Sequence, residues 1–251
     1  MKALVVCKHS ENEKESQACK IIQHKNLKLA YAWKNTLSRK YLKKINFIIA
    51  IGGDGTILSA SHFTKNIPIL AVNSSPDTSE GALATITINK LDSKILKILK
   101  NKYKAEKLER IQVSINNKPI KLLALNEVFI ANEKAYLVSK YKIRFKKLEE
   151  IQKSSGLIFS TGTGSTAWFK SARGIPFSPQ SKFIKMIARE PYQGKLSKTK
   201  IKFLTIKENQ TITIIPLVPS ILAIDSIREY KLKRNDKITI KISKYPLIRI
   251  L

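Results

Sequence analysis

"IIAIGGDGTILSAS", residues 48–61, sets an apolar run, a Gly-Gly-Asp-Gly-Thr cluster and a helix-compatible run side by side. Phe47 to Ile51 reads as a buried strand and Ile57 onward as a helix, so Gly52–Thr56 falls at the carboxyl end of a strand. Ligands of open α/β sheets collect at such ends. Gly52, Gly53 and Gly55 permit unusual dihedrals and close backbone approach, and a following helix presents free N–H groups to an anion. The cluster is neither a Walker A loop, which carries Lys and Ser or Thr after its last glycine, nor a G-x-G-x-x-G fingerprint. Asp54 would repel a bare phosphate. It suits a divalent cation held between carboxylate and phosphate, or a hydroxyl that must lose a proton to attack phosphorus. Both are phosphoryl-transfer chemistry. An ordinary Asp-Gly turn is the plain alternative, but it requires neither the preceding Gly-Gly nor the strand-helix frame.

Around this loop, short apolar runs alternate with helical patterns. Ala3–Cys7, Phe47–Ile51 and Ile69–Val72 read as strands. Leu27, Ala30, Tyr31, Trp33, Leu37 and Leu42 are spaced as a loose amphipathic helix, and "NKLDSKILKILKNK" (89–102) as another, capped by Asp92 or Ser93 with Ile95, Ile98 and Leu99 on one side. Strand-helix alternation predicts a parallel sheet with helices on its faces, a Rossmann-like α/β domain over residues 1–104. Beyond residue 105 the period falls to two. "RIQVSINN", "KYKIRFKK", "QTITIIP" and "DKITIKIS" predict a β-rich, antiparallel, sandwich-like domain over 105–251, its last residues packing back on the first. Asn116-Asn117 and Arg234-Asn235-Asp236 supply turns, and Glu149–Ser155 and Glu190–Thr199 read as loops.

Two further segments carry chemistry. "SSGLIFSTGTGSTAWFKSA" (154–172) places a short strand before a Gly/Thr/Ser turn and a helix-like run from Thr166. Thr161, Thr163, Ser165 and Thr166 offer hydroxyls, and Trp168 offers a ring that could line a base pocket. A helix-capping turn of this composition is common, so alone the segment assigns nothing. In "LALNEVFI" (123–130), Asn126-Glu127 break an apolar strand run. They suit ribose hydroxyls or a base edge, or simply end the strand.

Composition bounds the partners. The chain has 251 residues, 43% hydrophobic and 26% charged, which is a globular balance, and no apolar stretch approaches the roughly 20 residues of a spanning helix. Cys7 and Cys19 lack metal or redox spacing and read as reduced thiols, and His9, His24 and His62 are scattered, so no metal cluster is expected. Forty-seven Lys plus Arg against 18 Asp plus Glu give a net charge of +29, spread along the chain. Abundant Lys, Ile and Asn match an AT-biased genome with a solvated basic surface. Capture of an anionic substrate and nucleic-acid or membrane binding are the other readings. The outer face Lys140, Lys142, Arg144 and Lys146 of one strand is the basic patch that the last reading would use.

The order Gly52-Gly53-Asp54-Gly55-Thr56, then Asn126-Glu127, then Thr161 to Trp168 resembles the NAD kinase family over roughly residues 1–245. GGDGT alone is shared with diacylglycerol and sphingosine kinases. The resemblance implies transfer of the γ-phosphate of ATP, carried with Mg²⁺, to the 2′-hydroxyl of the adenosine ribose of NAD, giving NADP. It implies Asp54 at the acceptor hydroxyl with the magnesium nearby and no dedicated protein metal site. Gly52, Gly53, Gly55 and Thr56 would form the phosphate loop. NAD would be contacted by Asn73, Asn126, Glu127, Thr161, Thr163, Ser165, Thr166, Ala167, Trp168, Ser171 and Asp225. Trp168 replaces a usual tyrosine, Ser155 a usual aspartate, Gly162 a usual proline, "RGIP" (173–176) a usual G-G-P-I, and "NSSPDTSEG" (73–81) a usual N-L-G-x-L-G-F. These variants look closer to the mitochondrial-type branch, yet the N-terminus opens on a strand and carries Glu11, Glu13 and Glu15, unlike a transit peptide. The expectation is a cytoplasmic homo-oligomer, dimer or tetramer, that acts on NAD and ATP and has no nucleic-acid or stable membrane partner. The rivals are a GGDGT lipid kinase of the diacylglycerol type and a non-catalytic dinucleotide-binding regulator of the same fold. If the charge is a solvated surface, binding to duplex DNA or to anionic vesicles should vanish near physiological salt, where exposed charges are screened within about 8 Å. A salt titration by fluorescence anisotropy and vesicle co-sedimentation checks this, and retention at that salt overturns it.

Overall fold

Five consecutive buried residues, Phe47–Ile51, form the centre of the N-terminal sheet. The computed structural model describes residues 1–8, 26–77, 81–194 and 197–251. His9, Glu11, Glu13, Glu15, Cys19, His24 and residues 78–80 lie outside them. Strands β1 (Lys2–Cys7), β2 (Lys28–Trp33), β3 (Phe47–Ile51) and β4 (Ile69–Asn73) run parallel in the order β2-β1-β3-β4. The chain's last strand, Leu247–Ile250, pairs parallel with β4. A two-residue β5 (Ile86–Thr87) also joins β4, and β6 (Ala105–Leu108) pairs antiparallel with the last strand. Helix α1 (Asp54–Phe63) follows β3, and α2 (Leu91–Leu99) buries Leu91, Ile95 and Ile98 while Leu99 stays half-buried. Strands covered on both faces read as unbroken apolar runs, which is why β1, β3 and β4 were legible.

Residues 27–42 correct the expected helix. Lys28–Trp33 is a strand, followed by a 3₁₀ turn at Arg39–Leu42. Leu29, Tyr31 and Trp33 also carry a two-residue period, and β1 offers a complete row of backbone partners from Lys2 opposite Lys28 to Cys7 opposite Trp33. Tertiary pairing overrides a weak helical period. Neither Asp92 nor Ser93 caps α2; both lie inside its first turn behind a 3₁₀ lead-in, Ile88–Lys90, and Ser93 Oγ donates to the Lys90 carbonyl at 3.0 Å. Cys7 is disulfide-bonded, which corrects the expectation of a reduced thiol there.

The chain divides into two compact units, Met1–Leu108 with Pro246–Leu251, and Glu109–Tyr245. The division falls after Leu108, not after residue 104, because β6 hydrogen-bonds the last strand. The second unit contains β7 (Ile111–Ile115), β8 (Lys118–Ala124), β9 (Glu127–Asn132), β10 (Ser139–Phe145) and β11 (Leu148–Ser154). Next come β12 (Gly156–Ser160), β13 (Phe183–Arg189), β14 (Gln193–Gly194), β15 (Ser197–Lys198) and β16 (Phe203–Lys207). It closes with β17 (Thr211–Pro216), β18 (Ser220–Ile224), β19 (Arg228–Leu232) and β20 (Ile238–Ile242). Two six-stranded antiparallel sheets, β11-β10-β17-β20-β7-β8 and β16-β13-β12-β9-β18-β19, share one core. Tyr141, Ile143, Phe145, Ile212 and Ile214 enter it from the first sheet, and Val128, Ile130, Leu157, Phe159 and Met186 from the second. Residues 148–154, expected as a loop, instead pair with β10, and a short β14–β15 ribbon lies within 190–199. The β7–β8 hairpin turns on Asn116 and Asn117, both at positive φ (49° and 64°), the geometry that favours Asn in tight hairpins.

The basic outer face of β10 is partly neutralised. Lys142 and Arg144 both pair with Glu149 on β11, at 2.9 and 2.5 Å. No helix among the described residues is long and apolar enough to cross a membrane. Replacing Ile49, buried without residual exposure at the centre of β3, by Ala should destabilise the first unit by about 2–5 kcal/mol, read from urea unfolding. A loss below about 1 kcal/mol would mean that the sheet is not packed on both faces there.

Candidate functional site

The turn after β3 is held by its glycine and by hydrogen bonds across the sheet. Gly52 lies at φ +147°, and a Cβ there would fall 2.6 Å from Thr56 Oγ1, so only glycine fits. Its N–H donates to the Val72 carbonyl at 3.0 Å, and the Thr56 N–H donates to the Gly53 carbonyl at 2.9 Å. Gly53 is the N-cap of α1, and Asp54 begins the helix, where its charge is favoured by the helix dipole. Both Asp54 oxygens accept backbone N–H groups, Oδ1 from Leu83 at 2.9 Å and Oδ2 from Ala82 at 3.2 Å. Asp54 therefore anchors the 81–83 segment, and each oxygen keeps a second lone pair. Asn73, at the end of β4, is buried with its Oδ1 accepting the Ser75 N–H at 3.0 Å, so it shapes the turn after its strand.

In the second unit one buried carboxylate organises the Asn126-Glu127 pair. Asp225 Oδ2 accepts the Leu125 N–H at 2.9 Å, and Oδ1 accepts those of Asn126 and Glu127 at 2.8 and 3.0 Å. In return the Asp225 N–H donates to the Glu127 carbonyl at 2.9 Å. Asp225 and Ser226 both take positive φ (49° and 53°) in the β18–β19 turn, which directs this carboxylate back onto the strand. Asp225 thus positions the backbone that carries Asn126 and Glu127. Among the described residues, the buried Asn126 Oδ1, Glu127 Oε2 and Thr163 Oγ1 have no hydrogen-bond partner. Unpaired buried acceptors are costly unless a ligand donor meets them.

The third segment packs on the second. Gly164 lies so close to the Asn126 backbone that a Cβ would fall 2.3 Å from its carbonyl oxygen. Thr161 Oγ1 donates to the Leu125 carbonyl at 2.5 Å, and the Thr161 N–H to that of Asn126 at 3.0 Å. Ser165 Oγ is committed to the Gly162 and Phe177 carbonyls at 2.7 and 2.9 Å. The Thr161 and Ser165 hydroxyls are therefore hydrogen-bonded inside the turn, whereas among the described residues the Thr163 hydroxyl has no partner and Thr166 is exposed. Thr163–Thr166 form a 3₁₀ turn, and Trp168–Ser171 a four-residue helix α3. Thr166, Ala167 and Ser171 are exposed. Trp168 is half-buried with its ring 4.5 Å from that of Phe129, and the Arg189 guanidinium lies 5.5 Å from the Trp168 ring and 5.7 Å from the Phe129 ring. Cavities of about 490 and 260 Å³ are both lined by Trp168 and Arg189, and Ser155 lines the smaller. Trp168 thus lines both cavities with a cation beside its ring.

Arg110, a lone Arg before a strand, carries no signal in the sequence. It is fully buried and its Nε donates to the Tyr245 carbonyl at 2.8 Å. Burial lowers its pKa to about 10 while Asp225 pulls it back up, so it stays charged and offsets the Asp225 carboxylate. Among the described residues, no group of three His, Cys, Asp or Glu side chains is placed to hold a metal ion. Glu127 carries the functional consequence of this electrostatic setting. Burial, reinforced by Asp225 and opposed by a 3.2 Å hydrogen bond from Ser226 Oγ, pushes its carboxyl from an ordinary 4.5 to about 7. The folded protein then keeps a proton that the unfolded chain releases. The stability this confers is complete below about pH 4.5 and is lost as pH rises towards 7. Relative to wild type, Glu127→Gln should gain about 2 kcal/mol in stability between pH 5 and pH 8, measured by urea unfolding at each pH. A pH-independent difference would show that the carboxyl titrates as in the unfolded chain.

Residues 3–103 match the family model of the ATP-NAD kinase N-terminal domain. An NAD kinase of Clostridium botulinum (strain Alaska E43) is 31% identical over 209 residues, covering 80% of this chain and 71% of that protein. An NAD kinase of Campylobacter lari is 30% identical over 165 residues; the match covers 64% of this chain and spans 59% of that protein's length. A crystal structure of an NAD kinase from Archaeoglobus fulgidus in complex with ATP superposes with a TM-score of 0.79 at 25% identity, covering 99% of this chain and 93% of the other. Yeast NADH kinase complexed with NADH shares the fold, with a TM-score of 0.81 at 16% identity over 100% of this chain and 83% of the other. Together with the GGDGT, Asn-Glu and TGTGSTAW segments in their places, these matches show that the chain belongs to the NAD kinase family.

Proposed function

We propose that this chain transfers the γ-phosphoryl group of ATP to the 2′-hydroxyl of the adenosine ribose of NAD, giving NADP and ADP. The observation that carries the reading is the trio of buried acceptors, without partners among the described residues, at Asn126 and Glu127, whose backbone Asp225 holds, and at Thr163. Hydroxyl and amine donors of an adenosine are the chemistry that such acceptors receive, and leaving them unmet costs about 1–3 kcal/mol each. The second support is the glycine loop at a helix N-terminus, with Asp54 as its carboxylate. In the reaction the acceptor oxygen forms the new O–P bond, the bond to the β-phosphate oxygen breaks, and the hydroxyl proton passes to Asp54. Mg²⁺ would arrive on ATP, shielding phosphate charge. The Asp54 carboxylate, whose oxygens each keep a lone pair, fits an ion held mostly by phosphates and water. Cytoplasmic location and homo-oligomeric assembly, as dimer or tetramer, belong to the same proposal. Exposed Ile175 and Phe203 on the second unit supply apolar surface for assembly.

Purified protein with ATP, Mg²⁺ and NAD, NADH or diacylglycerol separately, scored by product mass, tests the reading directly. NADP formation is expected; a phosphorylated lipid with no NADP would overturn it. Asp54→Asn should lower kcat by about 10²-fold with ATP and NAD binding retained, the scale of lost acid–base help. Near wild-type turnover would remove Asp54 from the chemistry.

A further inference from the structure

GGDGT differs from a Walker A loop in carrying no lysine, and the tertiary structure brings one to it. In the parallel sheet Cys7 lies opposite Trp33 on one side and opposite Ile51 on the other. The next residues of the flanking strands, Lys34 and Gly52, therefore leave the sheet together at its carboxyl edge. The Lys34 backbone is pinned there, its N–H donating to the Cys7 carbonyl at 2.7 Å. Its side chain turns towards the loop: Nζ sits 3.1 Å from where a Cβ on Gly55 would be. Gly55 is the second residue of α1, so the ammonium lies against the first turn of that helix, on the side that already carries the positive end of the dipole. The Asp54 carboxylate, meanwhile, is turned to the Ala82 and Leu83 N–H groups.

We propose that Lys34 is a phosphate-binding residue of this loop, supplying from the end of β2 the cation that Walker A loops carry within themselves. The inference rests on the ATP-dependent reading above and deepens it. The Lys34 ammonium would engage the non-bridging oxygens of the donor's phosphate chain and offset charge as the terminal phosphoryl group transfers.

Full-length wild type, Lys34→Ala, Lys34→Arg and Lys28→Ala are compared. Lys28 is an exposed lysine at the other end of the same strand and controls for general charge loss. Steady-state kinetics should show kcat/KM for ATP reduced about 10-fold or more by Lys34→Ala, with KM for NAD changed less than about twofold. Lys34→Arg should recover part of the loss and Lys28→Ala should match wild type. Calorimetric affinity for inorganic tripolyphosphate, without NAD, should fall about 10-fold in Lys34→Ala, with an unchanged melting temperature. Equal losses for Lys28→Ala and Lys34→Ala, or ATP kinetics and tripolyphosphate affinity within about twofold of wild type, would overturn the proposal. Should wild type form no NADP, the catalytic reading falls, while the tripolyphosphate comparison still decides Lys34. Absence of tripolyphosphate binding to wild type counts against Lys34 too.

Discussion

The Asp225 carboxylate is the constraint on which the second unit's site depends. Three backbone N–H groups in succession, from Leu125 to Glu127, converge on its two oxygens. These donors would otherwise be buried without partners where β8 ends and β9 begins, at a cost comparable to a lost hydrogen bond each. Satisfying them through a side chain fixes the backbone at the point where Asn126 and Glu127 must present theirs. Charge balance follows from the same interaction, since a buried carboxylate needs a compensating cation and Arg110 is buried nearby in the electrostatic sense. Glu127, beside Asp225 and poorly solvated, is then held near its titration point. A group so poised gains most from a ligand that donates hydrogen bonds to it.

The first unit solves a different problem by different means. A parallel sheet lines up the carboxyl ends of its strands, so residues far apart in sequence become neighbours at one edge. β1, β2, β3 and β4 end at Cys7, Trp33, Ile51 and Asn73, and the glycine loop leaves from the middle of that edge. Three glycines keep the loop low and let α1 begin at once. Asp54 has a structural duty besides any chemical one, because it ties the 81–83 segment to the helix start. Arg249 on the last strand donates to the Leu83 carbonyl at 3.0 Å and pairs with Glu106 at 2.6 Å, so the chain's end braces the same segment.

The net charge of +29 finds a modest structural expression. Where the sequence pattern raised a basic strand face, two of its four cations share one glutamate across the hairpin. Such exposed pairs add little stability, but they lower the local field that nucleic acid or a membrane would need. Other cations have specific places: Arg189 beside Trp168, Arg249 on Glu106, buried Arg110 offsetting Asp225, and Lys34 at the glycine loop.

The sequence by itself determined the β3 strand, the glycine turn and the helix after it, because an apolar run, three glycines and a helical run act within fourteen residues. It likewise determined the alternating strands β7, β10, β17 and β20, whose two-residue period is local, and the order of motifs that placed the chain in its family. Only the tertiary structure decided that Lys28–Trp33 is a strand, since two periods fitted that stretch and pairing with β1 chose one. Tertiary structure alone also put β6 into the first unit, and it gave residues 247–250, expected from the sequence to pack back there, their pairing with β6 through hydrogen bonds between segments about 140 residues apart. Within the TGTGST segment, hydroxyls that look alike in sequence part company: Thr161 and Ser165 bond inward to carbonyls and Thr163 does not. The roles of Asp225, Arg110 and Lys34 were hidden for the same reason. A charged side chain's duty is set by which backbone and which opposite charge the fold brings to it, and that is long-range information.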